Sequence, residues 1–437
     1  MIKLDKKARD IMARDRKVFL TTTRGDNQFI ADHGDGDFVY DVSGNKFIDF
    51  SSFISVYNFG VNGNKEIRTA VKAQVDRLMH AAFTDYRAEL PVLFAEKLLS
   101  FFPAGFGKMF LSNSGTEANE AAIKFAKLFT KRQYVLAFYN SFHGRTMGSL
   151  SLTASRAVHR EHFGPFPGAL HAPYPYAYRC KMGHSTEECG MEQIDFIERN
   201  IIGKEVSGKE IAAIFVEPIQ GEGGYIVPSK MFMKELRRVA DDNGILLVSD
   251  EVQAGYMRTG KFLAMDNFGI KADIYTMAKA VGGGLPMGVT VTKSSLGDIP
   301  AGSHANTFGG NLASVAAGYA SLQYLERNKA SIEKQVADKG RLIMKRLNQM
   351  KERYEIIGDA RGLGMMLAIE LVNDRRTKSP AIRQRDKAII NAFDNGLLLL
   401  PAGESSIRII PPLTVSNESL AKGLDILEDA IKAVNGN

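Results

Sequence analysis

The chain has 437 residues, more than one hydrophobic core usually organises, so two structural units are expected. Its 45% hydrophobic and 24% charged residues are those of a soluble globular protein, and the net charge of +7 arises from 56 basic and 49 acidic residues of mixed order. No basic block or clustered face supports nucleic-acid binding, and no apolar run approaches the roughly 20 residues that span a bilayer. At the N-terminus Asp5, Asp10 and Asp15 interrupt the basic residues between Met1 and Lys17, and no apolar stretch follows. That pattern argues against a secretory or transit peptide, so a cytoplasmic location is expected.

After a first helical stretch, Phe38–Val42 and Phe47–Phe50 flank Ser43-Gly44-Asn45-Lys46 and read as a β-hairpin. Helical spacing follows from Lys65 to Met79, with Ile67, Ala70, Val71 and Val75 on one core face. Thr84-Asp85-Tyr86 lies in a polar break, where Asp85 is suited to cap the next helix. Lys108–Ser112 then reads as a strand, Asn113-Ser114-Gly115-Thr116 as a polar turn, and Glu117–Phe129 as a helix. Such a helix start offers free backbone N–H groups and the positive dipole end to a phosphate, although Ser114 and Glu117 also fit a capping box that needs no ligand.

A second strand, Tyr134–Phe138, runs into Tyr139-Asn140-Ser141-Phe142-His143-Gly144-Arg145, where an aromatic face is placed to stack on a ring. The two cysteines, Cys180 and Cys189, flank His184. Zinc usually takes four ligands at tighter spacings, so a polar surface insertion with reduced thiols is expected and no metal site, with a metal or a disulfide as the alternative. A helix ending near Asn200 leads to Ile211–Val216, which reads as the central strand of a doubly wound sheet, and then to Glu217-Pro218-Ile219-Gln220-Gly221-Glu222-Gly223-Gly224. Both acids there also suit a solvated loop. The helix Ser229–Asp242 stops at Asn243-Gly244.

The most informative stretch runs from Ile245 to Gly284. It opens with Ile245-Leu246-Leu247-Val248-Ser249, ends that strand on Asp250 and Glu251, and closes on Thr276-Met277-Ala278-Lys279-Ala280 before three glycines. An ammonium among apolar neighbours loses hydration, which favours the neutral amine and makes it a nucleophile towards carbonyl carbon. A carboxylate at the end of a buried strand keeps a pyridine nitrogen protonated. Lys279 and Asp250 together point to pyridoxal phosphate. Further on, a long charged helix is expected from Leu322, and Gly358–Met366 lacks the marks of a phosphate or dinucleotide fingerprint, so its glycines serve turns. Arg408 interrupts the apolar strand Ser406–Ile410, which is costly unless a carboxylate pairs with it. Leu420, Leu424, Leu427, Ile431 and Val434 form the core stripe of a last helix.

With Asp250-Glu251-Val252-Gln253 and the lysine that follows at 279, the chain resembles the class III aminotransferases, the ω-amino-acid branch of fold type I pyridoxal phosphate enzymes, from about Phe38 to Ala430. The resemblance implies an α/β fold. A large domain, 66–320, would hold a mostly parallel seven-stranded sheet, and 1–65 with 321–437 would form a small α+β domain. It implies that Ser114, Gly115 and Thr116 hold the cofactor phosphate, and that Phe142 and Val252 take the two ring faces. His143, Glu217 and Gln253 would complete the cofactor site, with Gln253 on the ring hydroxyl side, and Thr307 would reach the phosphate across a homodimer interface, in a dimer or a higher oligomer.

On the substrate side it implies Ile54, Asp85, Arg145, Glu222 and Arg408. Arg408 would bind an α-carboxylate, Arg145 a second carboxylate and Asp85 a substrate ammonium, with Glu222 neutralising Arg408 when the donor has no α-carboxylate. Phe53 departs from the family's usual glycine, and Gly60-Val61-Asn62-Gly63-Asn64 replaces its histidine-containing turn. The implied activity is ping-pong transfer of an amino group from an ω-amino acid, 4-aminobutyrate or ornithine, to 2-oxoglutarate through a Schiff base on Lys279. An amino-acid racemase on the same fold is the alternative.

Overall fold

The computed structural model describes residues 4–22, 28–62, 64–180 and 183–436. Met1–Lys3 of the charged N-terminal run, Gly63 of the predicted turn and Lys181 and Met182 of the insertion lie outside them. Seven strands make the main sheet: β1 (Phe106–Ser112), β2 (Tyr134–Phe138), β3 (Ala169–Ala172), β4 (Ile211–Val216), β5 (Leu246–Asp250), β6 (Ile274–Ala278) and β7 (Gly288–Lys293). Their order is β1-β7-β6-β5-β4-β2-β3, parallel throughout except for β7, which runs antiparallel to both neighbours. β4 and β6 are buried at every position, the condition under which strands read as unbroken apolar runs. The central strand is β5, not Ile211–Val216, which lies beside it. Ile211–Val216 is the more continuously apolar of the two, but an apolar run marks burial on both faces and not a strand's place in the order.

Two smaller sheets draw on both ends of the chain. One joins Ala31–Asp35, Phe38–Asp41 and Lys46–Asp49 to Leu397–Leu398, which pairs parallel with Lys46–Asp49. The other joins Ile357–Leu363, Met366–Asp374, Ser406–Ile409 and Leu400–Ala402, with Ser379–Pro380 at its side. A 42-residue helix, Leu312–Arg353, runs from the main sheet to the second of these. It begins ahead of the predicted Leu322 because the Asn311 side chain caps it, accepting from Ser314 N, and it passes unbroken through position 320. The stripe of the last helix, Asn417–Lys432, is fully buried as its spacing predicts, Val434 just beyond it included.

Three local expectations differ. Val75 is 42% exposed, because the helix Lys65–Arg77 packs on Leu312–Arg353 through its N-terminal half, where Ile67 is buried. Asp85 caps nothing: the next helix is Glu89–Leu99, and its cap position is Ala88, with no side-chain bond. The helix Thr186–Phe196 does not stop near Asn200 but widens into a π-helical stretch, Ile197–Glu205. Among the described residues no helix is long and apolar enough to cross a membrane.

The segment after the hairpin is the most strained part of the fold. Ser52, Phe53, Ile54 and Ser55 have φ of 45°, 46°, 64° and 60°, a full left-handed turn without glycine. Each such residue costs roughly 1–2 kcal/mol, so the surroundings have to impose it. Asp49 Oδ1 accepts from Ser51 N, Ser51 Oγ and Ser52 N at 2.8, 2.7 and 3.0 Å, and Ser52 Oγ donates to Ile410 O at 2.6 Å. Beneath the turn lies Arg258, fully buried, which donates to Asn58 Oδ1 and Pro411 O at 2.6 Å each. Burial pushes the Arg258 pKa down to about 10, opposed by the charges of Tyr225 and Asp49. Arg258→Met strands these buried acceptors and should destabilise the protein by about 2–5 kcal/mol, read as a lower urea midpoint.

Candidate active site

Lys279 follows directly on β6, in the left-handed conformation (φ 51°) that turns the chain out of the sheet. Its side chain opens on a cavity of about 520 Å³ at the carboxyl ends of the parallel strands, where Asp250 ends β5. This is where a doubly wound sheet places its ligands. Burial holds the Lys279 pKa below its usual value, against the opposing pull of Glu222 and Asp250. The amine is therefore biased towards its nucleophilic form.

Asp250 is 3% exposed and held on both oxygens. Oδ1 accepts from Val252 N at 3.0 Å; Oδ2 accepts from Asn119 Nδ2 at 2.8 Å and lies 2.8 Å from His143 Nδ1. Asn119 is itself fixed by Thr276 Oγ1 and bonds His143 O. Burial presses the His143 pKa down, but the hydrogen bond and charge of Asp250 outweigh it, and the net shift is upward. His143, with no solvent exposure of its side chain, lines the cavity and holds the Asp250 carboxylate.

The turn expected to hold phosphate lies at the same cavity. Ser114 caps the helix Gly115–Thr130 by accepting from Glu117 N, while the Glu117 carboxylate reaches Asn113 N at 2.6 Å, one residue before the cap. The reciprocal half of the predicted capping box is thus displaced, and the first helical N–H groups stay free for an anion. A Cβ on Gly115 would stand 2.9 Å from Val252 Cγ1, so only glycine lets this turn approach the strand carrying Asp250. Thr116 Oγ1 is bonded to Ser149 Oγ at 2.6 Å and Thr146 Oγ1 at 2.9 Å, which stiffens the turn.

Phe142 and Val252 both line the cavity, and Phe142 N donates to Glu217 Oε2 at 3.0 Å. Glu217 is no loop acid in solvent. It is 6% exposed, its other oxygen accepts from Gly221 N at 3.0 Å, and burial raises its pKa to about 7. Gln253 also lines the cavity, with its Oε1 accepting from the fully buried Tyr225 hydroxyl at 2.8 Å.

Arg408, on strand Ser406–Ile409, is 4% exposed and has the carboxylate partner its strand position predicts: Nη1 lies 3.0 Å from Glu222 Oε1. Nε and Nη2 donate to Pro401 O at 2.9 and 2.7 Å. Burial pushes the Glu222 pKa up, Arg408 outweighs it, and the carboxylate stays below its usual range. Nη1 makes no aligned hydrogen bond, so the pair is a close charge contact with the rest of the guanidinium anchored elsewhere.

Arg145 is exposed at the cavity edge, its guanidinium carbon 5.7 Å from the Phe142 ring centre. Ile54 lies in the left-handed turn and does not line this cavity, although Val56 just beyond it does. Asp85 is exposed away from it, beside Thr84, whose hydroxyl donates to Asn306 O at 3.0 Å. Thr307 is likewise exposed and does not line its own chain's cavity. Asn119 and Tyr225, which fix Asp250 and Gln253, escape sequence reasoning, because a polar residue in a helix and an aromatic in a loop carry no mark of a partner so distant in sequence.

The residues present fit pyridoxal phosphate: a helix N-terminus, a carboxylate held at a strand end, an aromatic ring and a valine on the cavity wall, and a desolvated lysine. Comparison with known proteins agrees. Residues 21–431 match the family model described as aminotransferase class-III. The leucine/methionine racemase of Thermococcus litoralis is 40% identical over 91% of this chain and 89% of its own length. A probable 4-aminobutyrate aminotransferase of Bacillus subtilis is 35% identical over 96% of both chains. The solved taurine:2-oxoglutarate aminotransferase of Bifidobacterium kashiwanohense, in complex with PLP and glutamate, superposes with a TM-score of 0.91 at 26% identity, covering 100% of both chains.

Proposed function

The chain belongs to the class III aminotransferases and is a pyridoxal-phosphate-dependent transaminase, and from that premise we propose that it moves the amino group of an ω-amino acid, 4-aminobutyrate or ornithine, to 2-oxoglutarate in two half-reactions. The bound cofactor supplies an aldehyde that takes the amine and a ring that accepts the electron pair left when the adjacent proton departs. Ser114, Gly115 and Thr116 would hold its phosphate, Phe142 and Val252 its ring, Gln253 its hydroxyl side, and Asp250 the proton on its ring nitrogen. Lys279, freed when the donor amine takes its place, moves the proton as general base and then acid, for which its lowered pKa suits it.

The observation that carries the reading is the contact between Glu222 and Arg408. An ω-amino donor has no carboxylate on the carbon that bears the transferred amine, so Glu222 keeps the buried arginine neutralised. 2-Oxoglutarate brings one, and Glu222 yields its place. Arg145 at the cavity edge suits the far carboxylate of 4-aminobutyrate, while Asp85, beside the loop of Asn306 and Thr307, would meet an ornithine ammonium only in the partner's site. Thr307 and the 57%-exposed Phe308 support a homodimer in which Thr307 serves the partner's cofactor, in a cytoplasmic enzyme. Glu222→Ala should lower the rate with 4-aminobutyrate more than tenfold and that with glutamate far less, in half-reactions followed by cofactor absorbance. Equal losses would remove the gate from the account.

The racemase from Thermococcus litoralis supports a second reading, racemisation of an α-amino acid at the same site. Incubation with one L-amino acid and no keto acid separates the two. A racemase forms the D-enantiomer, whereas a transaminase stops after one half-turnover.

A further inference from the structure

The two cysteines lie far from the cavity, and the transaminase chemistry does not use them. Cys180 Sγ, a ring nitrogen of His184 and a carboxylate oxygen of Glu192 lie within 4.8 Å of one another. His184 Nδ1 is 3.4 Å and Cys180 Sγ 4.0 Å from the same Glu192 Oε2. A tetrahedral zinc site, with bonds of about 2.0–2.3 Å, spaces its donor atoms roughly 3.3–3.8 Å apart, so the 3.4 and 4.0 Å contacts are already near that spacing and a pair at the 4.8 Å limit would close by about 1 Å. Among the described residues, the buried His184 Nδ1 has no aligned hydrogen-bond partner, and its one close contact is with Glu192.

The fourth group is Cys189, 3% exposed, near enough to Cys180 for the two thiols to interact electrostatically. It sits in the helix Thr186–Phe196 one turn before Glu192, so both side chains share a helix face. That helix has a complete capping box, Ser185 with Glu188, which fixes its start immediately after His184. Neither cysteine is in a disulfide. Sequence spacing hides the set, because one of its members is a glutamate.

We propose that Cys180, His184, Cys189 and Glu192 bind one divalent metal ion of zinc type as a structural site. Thiolate, imidazole and carboxylate donors in a four-coordinate set favour zinc over magnesium or calcium, which take oxygen ligands. The ion ties the start of this helix to the segment before it, whose Arg179 Nε donates to Glu370 Oε1 at 2.6 Å. Glu370 pairs in turn with Arg361 at 2.7 Å, and Arg361 Nη2 donates to Ser406 Oγ at 2.9 Å, two residues before Arg408. The metal therefore braces the outer end of a polar chain that reaches the carboxylate-binding strand.

The test uses the cofactor-loaded protein, purified under reducing conditions and equilibrated with Zn²⁺, then desalted. Elemental analysis should find one zinc per chain, and Co²⁺ in its place should give the visible bands of a tetrahedral thiolate site. Cys180→Ser and Glu192→Gln, checked as folded by circular dichroism, should each cut zinc retention at least tenfold, and chelation should lower the melting temperature of the parent but not of Cys180→Ser. Less than a tenth of an equivalent of zinc in the parent, retention unchanged in both variants, or octahedral Co²⁺ bands would overturn the proposal. A disulfide between Cys180 and Cys189 that persists under these conditions would do the same.

Discussion

Lys279→Ala should lose transamination by a factor on the order of 10⁴ or more. Proton transfer by a placed side chain is worth about 10²–10⁴ alone, and the alanine also removes the amine that exchanges with substrate. Lys279→Arg tells which property matters, because it keeps a cation beside Glu222 and Asp250, but a guanidinium stays protonated at any working pH. Both variants should be equally inactive while still folding and taking up cofactor without a covalent bond. Borohydride reduction followed by peptide mass analysis should fix a pyridoxyl group on Lys279 in the parent and on no residue in either variant. A parent with no adduct at that lysine would end this account.

Asp250→Asn should cost about 10²–10³ in kcat, roughly 3–4 kcal/mol, the range found when one fixed electrostatic partner is taken from a transition state. Asparagine fits the same space, and its amide oxygen still accepts from Asn119 Nδ2, but it brings no charge to hold a proton on a ring nitrogen. The cofactor absorbance should shift with the lost ring proton. His143→Asn should cost much less, about tenfold, because the ring acts through the 2.8 Å bond to Asp250 and Asn119 keeps its own grip on the carboxylate. A His143 variant as impaired as Asp250→Asn would mean that the histidine touches the reacting atoms.

Much of the site is readable from the chain alone, for a definite reason. Asp250, Lys279, Phe142 and Glu217 each stand at or just past the end of a continuous apolar strand, so a parallel sheet brings them together wherever the helices lie. Arg408 is legible because a charge inside an apolar strand needs a partner. The supports are not. Asn119 reaches Asp250 across 131 positions, and its neighbours in the helix Gly115–Thr130 look like those of any amphipathic helix. Asp49 and Arg258, which impose the left-handed turn, read as a strand-end acid and a loop arginine until the fold puts them under Ser52. The same holds for Asp85: a polar break before a helix suggests a cap, but the break runs on to Ala88.

The turn at Ser52–Ser55 has a consequence for how this protein is made. Its anchors are Asp49 and Asn58 near the beginning of the chain, Arg258 in the middle, and Ile410, Pro411 and Leu413 close to the end. When a ribosome has added residues only as far as 409, every strand of the main sheet has been made, but the anchors at Ile410, Pro411 and Leu413 have not. The full anchoring of the turn beside Val56 therefore requires residues 410–413, and a chain truncated before them would keep the strands of its main sheet but lose part of the support of its cavity wall.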